Sequence, residues 1–208
     1  MAAGPRRKSA KESQAGEPPE NMNILLHICC APCAIFPAEE LRREGHKLAG
    51  FFYNPNIHPY AEYIRRRGQV ERYAVDAGLN VISSDYDIEN YFQHIVYNED
   101  FKNRCPVCWR LRMESSAAFA KENGFDAFTT TLLGSPYQDH DMIKEICQDI
   151  AKRLGLKFYY KDFRTGFKEA HDRAKSKGIY CQNYCGCIFS EVERAQKKGQ
   201  GSGVKEKK

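Results

Sequence analysis

The apolar positions of this chain fall into short unbroken runs separated by longer stretches of helical period. Ile24–Ile28 (ILLHI) is one such run. It stops at Cys29-Cys30-Ala31-Pro32-Cys33, which predicts a buried strand followed by a loop. A helix should come next, because Pro37 suits a first turn, Glu39 and Glu40 suit the positive end of a helix dipole, and Gly45 suits the stop. Lys47–Tyr53 reads as a second strand ending at Asn54-Pro55-Asn56. From Pro59 to Ala77 the residues Tyr60, Tyr63, Ile64, Val70, Tyr73, Ala74 and Ala77 recur at helical spacing, with Arg65, Arg66, Arg67 and Arg72 at the remaining positions. A strand at Asn80–Ser84 follows, then a helix over Ile88–Tyr97. A longer helix over Pro106–Glu122 carries Cys105 and Cys108 at its N-terminal turn. Phe125–Leu133 is strand-like in its Phe and Thr content. After the turn at Gly134-Ser135-Pro136 come a helix over Asp141–Leu154, a strand over Lys157–Tyr160 and a helix from about residue 166 to 177. Strands alternating with helices predict an α/β fold, a mostly parallel sheet with helices on both faces. Ligands of such sheets lie outside the carboxyl ends of the strands, where Cys29-Cys30 and the Thr-rich segment both fall. No internal repeat is present.

Charge qualifies this picture. The 208 residues carry a formal charge of +5, yet residues 1–23 hold four basic and three acidic side chains, and residues 196–208 hold five Lys and one Glu. The segment 24–195 is therefore neutral overall, and a basic balance alone gives no warrant for nucleic acid. Both tails lack the apolar residues that offset ordering entropy, so they are expected to be disordered, leaving 24–195 as a single catalytic domain. A domain of that size should bury roughly 70% of its unfolded surface without disulfides. No apolar run approaches the length of a membrane span and no secretory leader is recognisable, so the expectation is a cytoplasmic protein without a membrane partner.

Nine cysteines in a reducing compartment need a reason other than disulfides. They occur as Cys29, Cys30 and Cys33, then Cys105 and Cys108, then Cys147, then Cys181, Cys185 and Cys187, the distribution of a site assembled by folding. The C-x-x-C of Cys105 and Cys108 lets two thiolates meet one metal, and a helix N-terminus would favour their ionised form. A redox pair is the rival reading for that motif, and buried thiols acting as small hydrophobes are the bland one. Cys29 and Cys30, just past a strand end, have room to turn both sulfurs one way. Together the four suit tetrahedral zinc or a [4Fe–4S] cluster. Cys185-Gly186-Cys187 closes only a small, strained disulfide, suited to exchange; metal ligation is its alternative. Cys147 shares an apolar helix face with Met142, Ile143, Ile146 and Ile150 and is expected in the core. Cys33 and Cys181 are each compatible with an extra ligand or with a bystander.

Taken together, Leu26-His27-Ile28-Cys29-Cys30-Ala31-Pro32-Cys33, Tyr53-Asn54-Pro55-Asn56-Ile57-His58-Pro59 with Glu62-Tyr63, Arg104-Cys105-x-x-Cys108, Thr129-Thr130-Thr131-Leu132-Leu133-x-Ser135-Pro136 and Tyr184-Cys185-Gly186-Cys187 resemble the epoxyqueuosine reductases of the QueH type. The matches run in order from about residue 24 to 190. The resemblance implies an adenine-nucleotide alpha-hydrolase-like (HUP) three-layer fold. It also implies a cobalamin-independent oxidoreductase that removes the epoxide oxygen of epoxyqueuosine at the tRNA wobble position to give queuosine. By motif position it implies a [4Fe–4S] cluster on Cys29, Cys30, Cys105 and Cys108, with Cys185 and Cys187 as the redox-active pair. It allows a further adjacent iron, for which Cys33 or a carboxylate would be a ligand.

ATP-using enzymes of that fold place a Gly- and Ser-rich phosphate loop after the first strand. Cys29–Cys33 contains neither glycine nor hydroxyl, so no ATP is expected. The implied partners are a tRNA anticodon loop and an unidentified electron donor. Arg65–Arg67 and the Lys102/Arg104/Arg110/Arg112 group are the phosphate-contact candidates, with a solvated helix face as the alternative for each. Tyr53, Tyr60, Tyr63 and Tyr137 are close to strand-end loops, and Tyr137, Asp139, His140, Asp141 and Tyr184 are the proton-donor candidates. Two other readings of the same residues are a zinc-stabilised tRNA-binding module and a tRNA-thiolating enzyme of the same fold.

Overall fold

Ile24, Leu25 and Leu26 are completely buried because the strand they occupy, β1 (Asn23–His27), runs down the middle of the sheet. Each apolar side chain so removed from water contributes about 2 kcal/mol. The computed structural model describes residues 21–201, without the side chains of 101 and 198–201. β1 pairs in parallel with β2 (Lys47–Phe52) and with β4 (Ala127–Thr130), in register Leu26↔Gly50 and Leu26↔Thr129. β3 (Asn80–Ser83) adds outside β2 and β5 (Lys157–Phe158) outside β4, all parallel, in the order β3-β2-β1-β4-β5. This is the order of a doubly wound half-fold, which reverses direction between β1 and β4 and opens a crevice there at the carboxyl ends.

The crossovers place α1 (Ala31–Arg43), α2 (Tyr60–Asp76) and α6 (Phe167–Ser176) on one face. α3 (Ile88–Ile95), α4 (Phe101–Glu122) and α5 (His140–Leu154) cover the other. The expected three-layer α/β arrangement is thus observed. Among the described residues no helix is long and apolar enough to cross a membrane.

Two helices begin earlier than their prolines suggested, and both shifts matter for the site. α1 starts at Ala31 rather than near Pro37. Pro32 occupies its first turn, and Ala31, Ala34, Ile35, Ala38 and Leu41 form its buried stripe, so Pro37 lies inside the helix. Cys33 is therefore in the first turn of a helix and not in a loop. α4 starts at Phe101, because the Asp100 carboxylate caps it by accepting from the amides of Lys102 and Asn103. Cys105 is consequently one turn and Cys108 about two turns inside α4, and neither is in its first turn.

β4 stops at Thr130, whose hydroxyl accepts from the Leu132 amide and turns the chain into a 3-10 segment, Thr131–Gly134. β5 ends at Phe158, short of Tyr160. Of the expected disordered tail 1–23, the described residues 21–23 include Met22, whose backbone is bonded to His46 and Lys47, and Asn23, which opens β1; residues 1–20 lie outside the described residues. A last helix, α7 (Ile188–Gly201), follows Cys187 directly and carries helix past the expected boundary at 195; residues 202–208 lie outside the described residues.

Candidate thiol and metal centre

The carboxyl ends of β1, β2 and β4 are tied together by His27, which is fully buried. Its Nε2 faces the Tyr53 carbonyl oxygen at 3.2 Å and must carry the proton, so Nδ1 accepts from the Thr130 hydroxyl at 2.9 Å. Burial, aided by the Arg112 charge, pushes this imidazole down to about 3, and it stays neutral. The next residues along are Cys29 and Cys30. The Cys29 amide donates to Thr131 Oγ1 at 3.0 Å, and the same hydroxyl donates to Cys29 Sγ at 3.2 Å.

Cys30 caps α1 and Cys33 lies one turn on, so their thiols project together. Cys29, Cys30 and Cys33 lie with their sulfurs all within 4.8 Å of one another, a group able to hold a metal ion. Three thiols this close in a dry setting divide one negative charge unequally. Hydrogen bonds from Cys30 and Cys33, with help from Arg112 and Thr131, hold the Cys29 thiol well below its usual range. Burial, with a hydrogen bond to Cys29, pushes Cys30 well above its range, and hydrogen bonds to Cys29 and Cys30, with burial added, do the same for Cys33. A bound cation relieves that conflict by letting all three ionise.

Cys105 and Cys108 do not join this group. With Arg112 they form one stripe of α4, at spacings of three and seven residues. Burial raises both thiols, Cys105 to about 12, so desolvation outweighs the helix-end effect expected from sequence. The charge of Arg112 favours the ionised form of Cys29, Cys108 and Cys185 alike, and Asn54, which accepts from Arg112, donates in turn to the Ile28 carbonyl just before Cys29. Arg112 is 4% exposed; Nη2 donates to Asn54 Oδ1 at 2.6 Å and Nε has no partner. A buried guanidinium without a carboxylate among the described residues is compensated by thiolates, so this donor set suits an anionic metal–thiolate assembly.

Cys185 and Cys187 lie in the loop between α6 and α7. Cys185 is exposed and Cys187 buried. Hydrogen bonding from Cys187 and Ser190 brings the Cys185 thiol down to about 6, whereas the Cys185 anion and burial raise Cys187 far above its usual range. Gly186 has φ +118, and a Cβ there would stand 2.9 Å from Ile57 Cγ1, so the motif needs its glycine. The loop is bound to the segment after β2: the His58 amide donates to the Gly186 carbonyl at 2.8 Å, and the Tyr184 phenol donates to the His58 carbonyl at 2.8 Å.

The basic residues singled out by sequence divide. Arg66 is buried, donating to Glu62, Tyr184 and Cys185; Arg104 is buried, donating to the Glu99 carbonyl and Glu193; and Arg112 is buried at the thiols. None of these three is placed to touch phosphate. Arg65 is exposed over the Tyr180 ring, Arg67 pairs with Glu71, Arg110 with Asp149, and Lys102 is exposed. Cys147 is fully buried, as expected, and Cys181, which donates to the Ile179 carbonyl, is not among the three clustered thiols. His140 is neither a solvated loop residue nor an open acid: it is 6% exposed with Nε2 3.2 Å from the Leu133 carbonyl oxygen.

Sequence reasoning left Cys33 open and gave no role to Arg112, Tyr91 or Ser190 at the thiols. The Cys105–Cys108–Arg112 helical spacing was a usable signal; for Tyr91, which meets Cys187 from another helix, there was none. A cavity of about 750 Å³ is lined by Tyr53, Ser84, Asp85, Asp87, Asn90 and Leu111; among these, Leu111 packs in one cluster with Cys108.

A family model described as epoxyqueuosine reductase QueH matches residues 24–193. The protein of that name from Thermotoga maritima is 38% identical over 182 residues, covering 84% of this chain and 93% of its own length. That from Dehalococcoides mccartyi is 33% identical over 172 residues, covering 82% and 93%. A solved chain described as a predicted subunit of tRNA methyltransferase from Methanocaldococcus jannaschii shares 14% identity at a TM-score of 0.49, over 73% of this chain and 74% of its own, a likeness too distant to bear on function.

Proposed function

Because the chain belongs to the epoxyqueuosine reductase QueH family, we propose that it removes the epoxide oxygen of epoxyqueuosine at the wobble position of a tRNA anticodon, without cobalamin or ATP, leaving queuosine. The reading is carried by one observation: three thiols, Cys29, Cys30 and Cys33, lie with their sulfurs within 4.8 Å of one another at the carboxyl end of the central strand, a group able to hold a metal ion.

The reaction takes two electrons and two protons; both C–O bonds break, a carbon–carbon double bond forms, and the oxygen leaves as water. Cys185 and Cys187, passing from dithiol to disulfide, release that number of each. In this role the exposed Cys185 is the sulfur that is thiolate at neutral pH, and the buried Cys187 holds its proton until the S–S bond forms. A low-potential electron donor then restores the dithiol.

Cys29, Cys30, Cys105 and Cys108 would hold a [4Fe–4S] cluster. Cys33, inside the triad, is the thiol left over and is the ligand available to an adjacent iron. When bound, such a cluster supplies single electrons and an iron that can act as a Lewis acid. Arg112 offsets the negative charge of the thiolates, and Thr131 orients Cys29 through its amide and its sulfur. The cavity lined by Tyr53, Asp87 and Asn90 has the volume of a nucleoside site. The exposed Tyr60, Tyr137 and Arg65 suit stacking on unpaired bases and contact with phosphate.

The test is anaerobic turnover of tRNA carrying epoxyqueuosine with a chemical reductant, read by nucleoside mass. The expected product is lighter by one oxygen, from a brown protein containing iron and acid-labile sulfide. A colourless protein holding one zinc and giving no product overturns the reading in favour of a zinc-stabilised tRNA-binding module.

A further inference from the structure

We propose that the hydroxyls of Ser190 and Tyr91 set the redox poise of Cys185 and Cys187, each by a hydrogen bond to one sulfur of the reduced pair. The inference rests on the redox role proposed above for that pair.

The two hydroxyls come from opposite directions, one to each sulfur. Ser190, in the first turn of α7, has Oγ 3.0 Å from Cys185 Sγ and donates its own proton to the Cys187 carbonyl oxygen at 2.7 Å. Its oxygen therefore accepts from the Cys185 thiol. When that thiol ionises, the hydroxyl proton of Ser190 is free to rotate from the Cys187 carbonyl, which keeps the Ser190 amide as donor, to the anionic sulfur, a stronger acceptor. Tyr91, on α3, is completely buried and donates from Oη to Cys187 Sγ at 3.3 Å. Its ring packs on His58, itself bonded to the redox loop through Gly186, so the phenol is fixed relative to the sulfur it serves. Burial pushes the Tyr91 phenol far above its ordinary value, and it acts as a donor without giving up its proton.

A thiol or thiolate accepts a hydrogen bond better than a disulfide sulfur does. Both contacts therefore stabilise the reduced pair relative to the oxidised one, which makes the disulfide easier to reduce. Removing either hydroxyl should favour the disulfide.

The experiment equilibrates the anaerobic holoprotein with mixtures of reduced and oxidised glutathione and measures the Cys185–Cys187 linkage by mass after alkylation. In this exchange an S–S bond forms in the protein while that of glutathione disulfide breaks. Two electrons pass to glutathione and the two thiol protons end on its sulfurs. For Ser190→Ala the equilibrium constant for oxidation should rise about tenfold, the worth of a hydrogen bond to a charged sulfur. Tyr91→Phe should raise it by about threefold, and Ser190→Thr, which keeps the hydroxyl, should restore the wild-type value. Iron and sulfide content should be unchanged throughout. Wild-type poise in Ser190→Ala and Tyr91→Phe overturns the inference while leaving the redox pair in place, and if one variant cannot be purified the other decides. No linkage in the wild-type protein at any ratio removes the pair itself from the reaction.

Discussion

Arg66 Nη1 donates to the carbonyl oxygen of Cys185 at 3.0 Å from a side chain that is only 2% exposed. The same guanidinium donates from Nε to Glu62 at 2.6 Å and from Nη2 to the Tyr184 carbonyl at 3.4 Å. A charge in the middle of a basic run thus serves as the bracket that fastens the C-x-C loop to α2.

Arg66→Gln should therefore destabilise the fold by about 3 kcal/mol, because it leaves the Glu62 carboxylate without its cation and frees two loop carbonyls. Arg65→Gln, which gives up an exposed contact with Tyr180, should cost at most about 1 kcal/mol. Arg67→Gln, in an exposed pair with Glu71, should cost less still. Urea unfolding of the three single variants separates them. Equal losses would mean that Arg66 is not clamped.

Gly186→Ala places a side chain at φ +118 and against Ile57. The cost should be about 2 kcal/mol, concentrated in the loop. Faster alkylation of Cys187, which the native loop keeps buried, is the signature to look for by mass spectrometry.

The thiols should divide by metal content. Cys33→Ala, inside the triad, should lower iron per chain, whereas Cys181→Ala should not. Cys147→Ser should leave iron unchanged but lower stability by about 2 kcal/mol, since it buries a hydroxyl in an apolar site. Metal analysis beside thermal melts distinguishes ligand from core thiol.

Acid should act partly through Glu40. Its hydrogen bonds with Arg43 and Lys161, the latter at 2.5 Å, hold its carboxyl down to about 2. A carboxylate depressed in the folded state adds stability at any pH above its ordinary value near 4.5, and that stability is lost as pH falls towards 2. Glu40→Gln should be less stable than wild type at neutral pH, and the gap should narrow as pH falls from about 4.5 towards about 2. A gap that stays constant with pH would show that the carboxylate charge contributes nothing.

The parallel sheet was legible because β1 and its neighbours are apolar runs between helix-period stretches, and that pattern has few other solutions. The helix starts were less legible. Pro37 and Pro106 look like boundaries in the sequence, but Pro32 opens α1 and Asp100 caps α4, and local capping prevails. The same misplacement hid Cys33, whose sulfur joins the triad only because α1 begins at Ala31. The arginines were the least legible: Arg65 and Arg66 are adjacent in sequence, and only the packing of the C-x-C loop on α2 makes one a surface group and the other a buried clamp. Tyr91 and Cys187 meet across 96 residues, a pairing no local pattern encodes.

The place of β1 in the sheet also fixes an order of events during synthesis. The strand emerges first, yet its partner β4 and the Thr131 hydroxyl that holds Cys29 lie 102 residues or more further along. At about 5–20 residues per second, the ribosome takes on the order of 5–20 s to supply them. Through that interval Cys29, Cys30 and Cys33 are nascent-chain thiols without their final surroundings. The proposed metal centre is therefore completed only once β4 and Thr131 have emerged, and loading should wait for that stretch of chain rather than follow β1 directly.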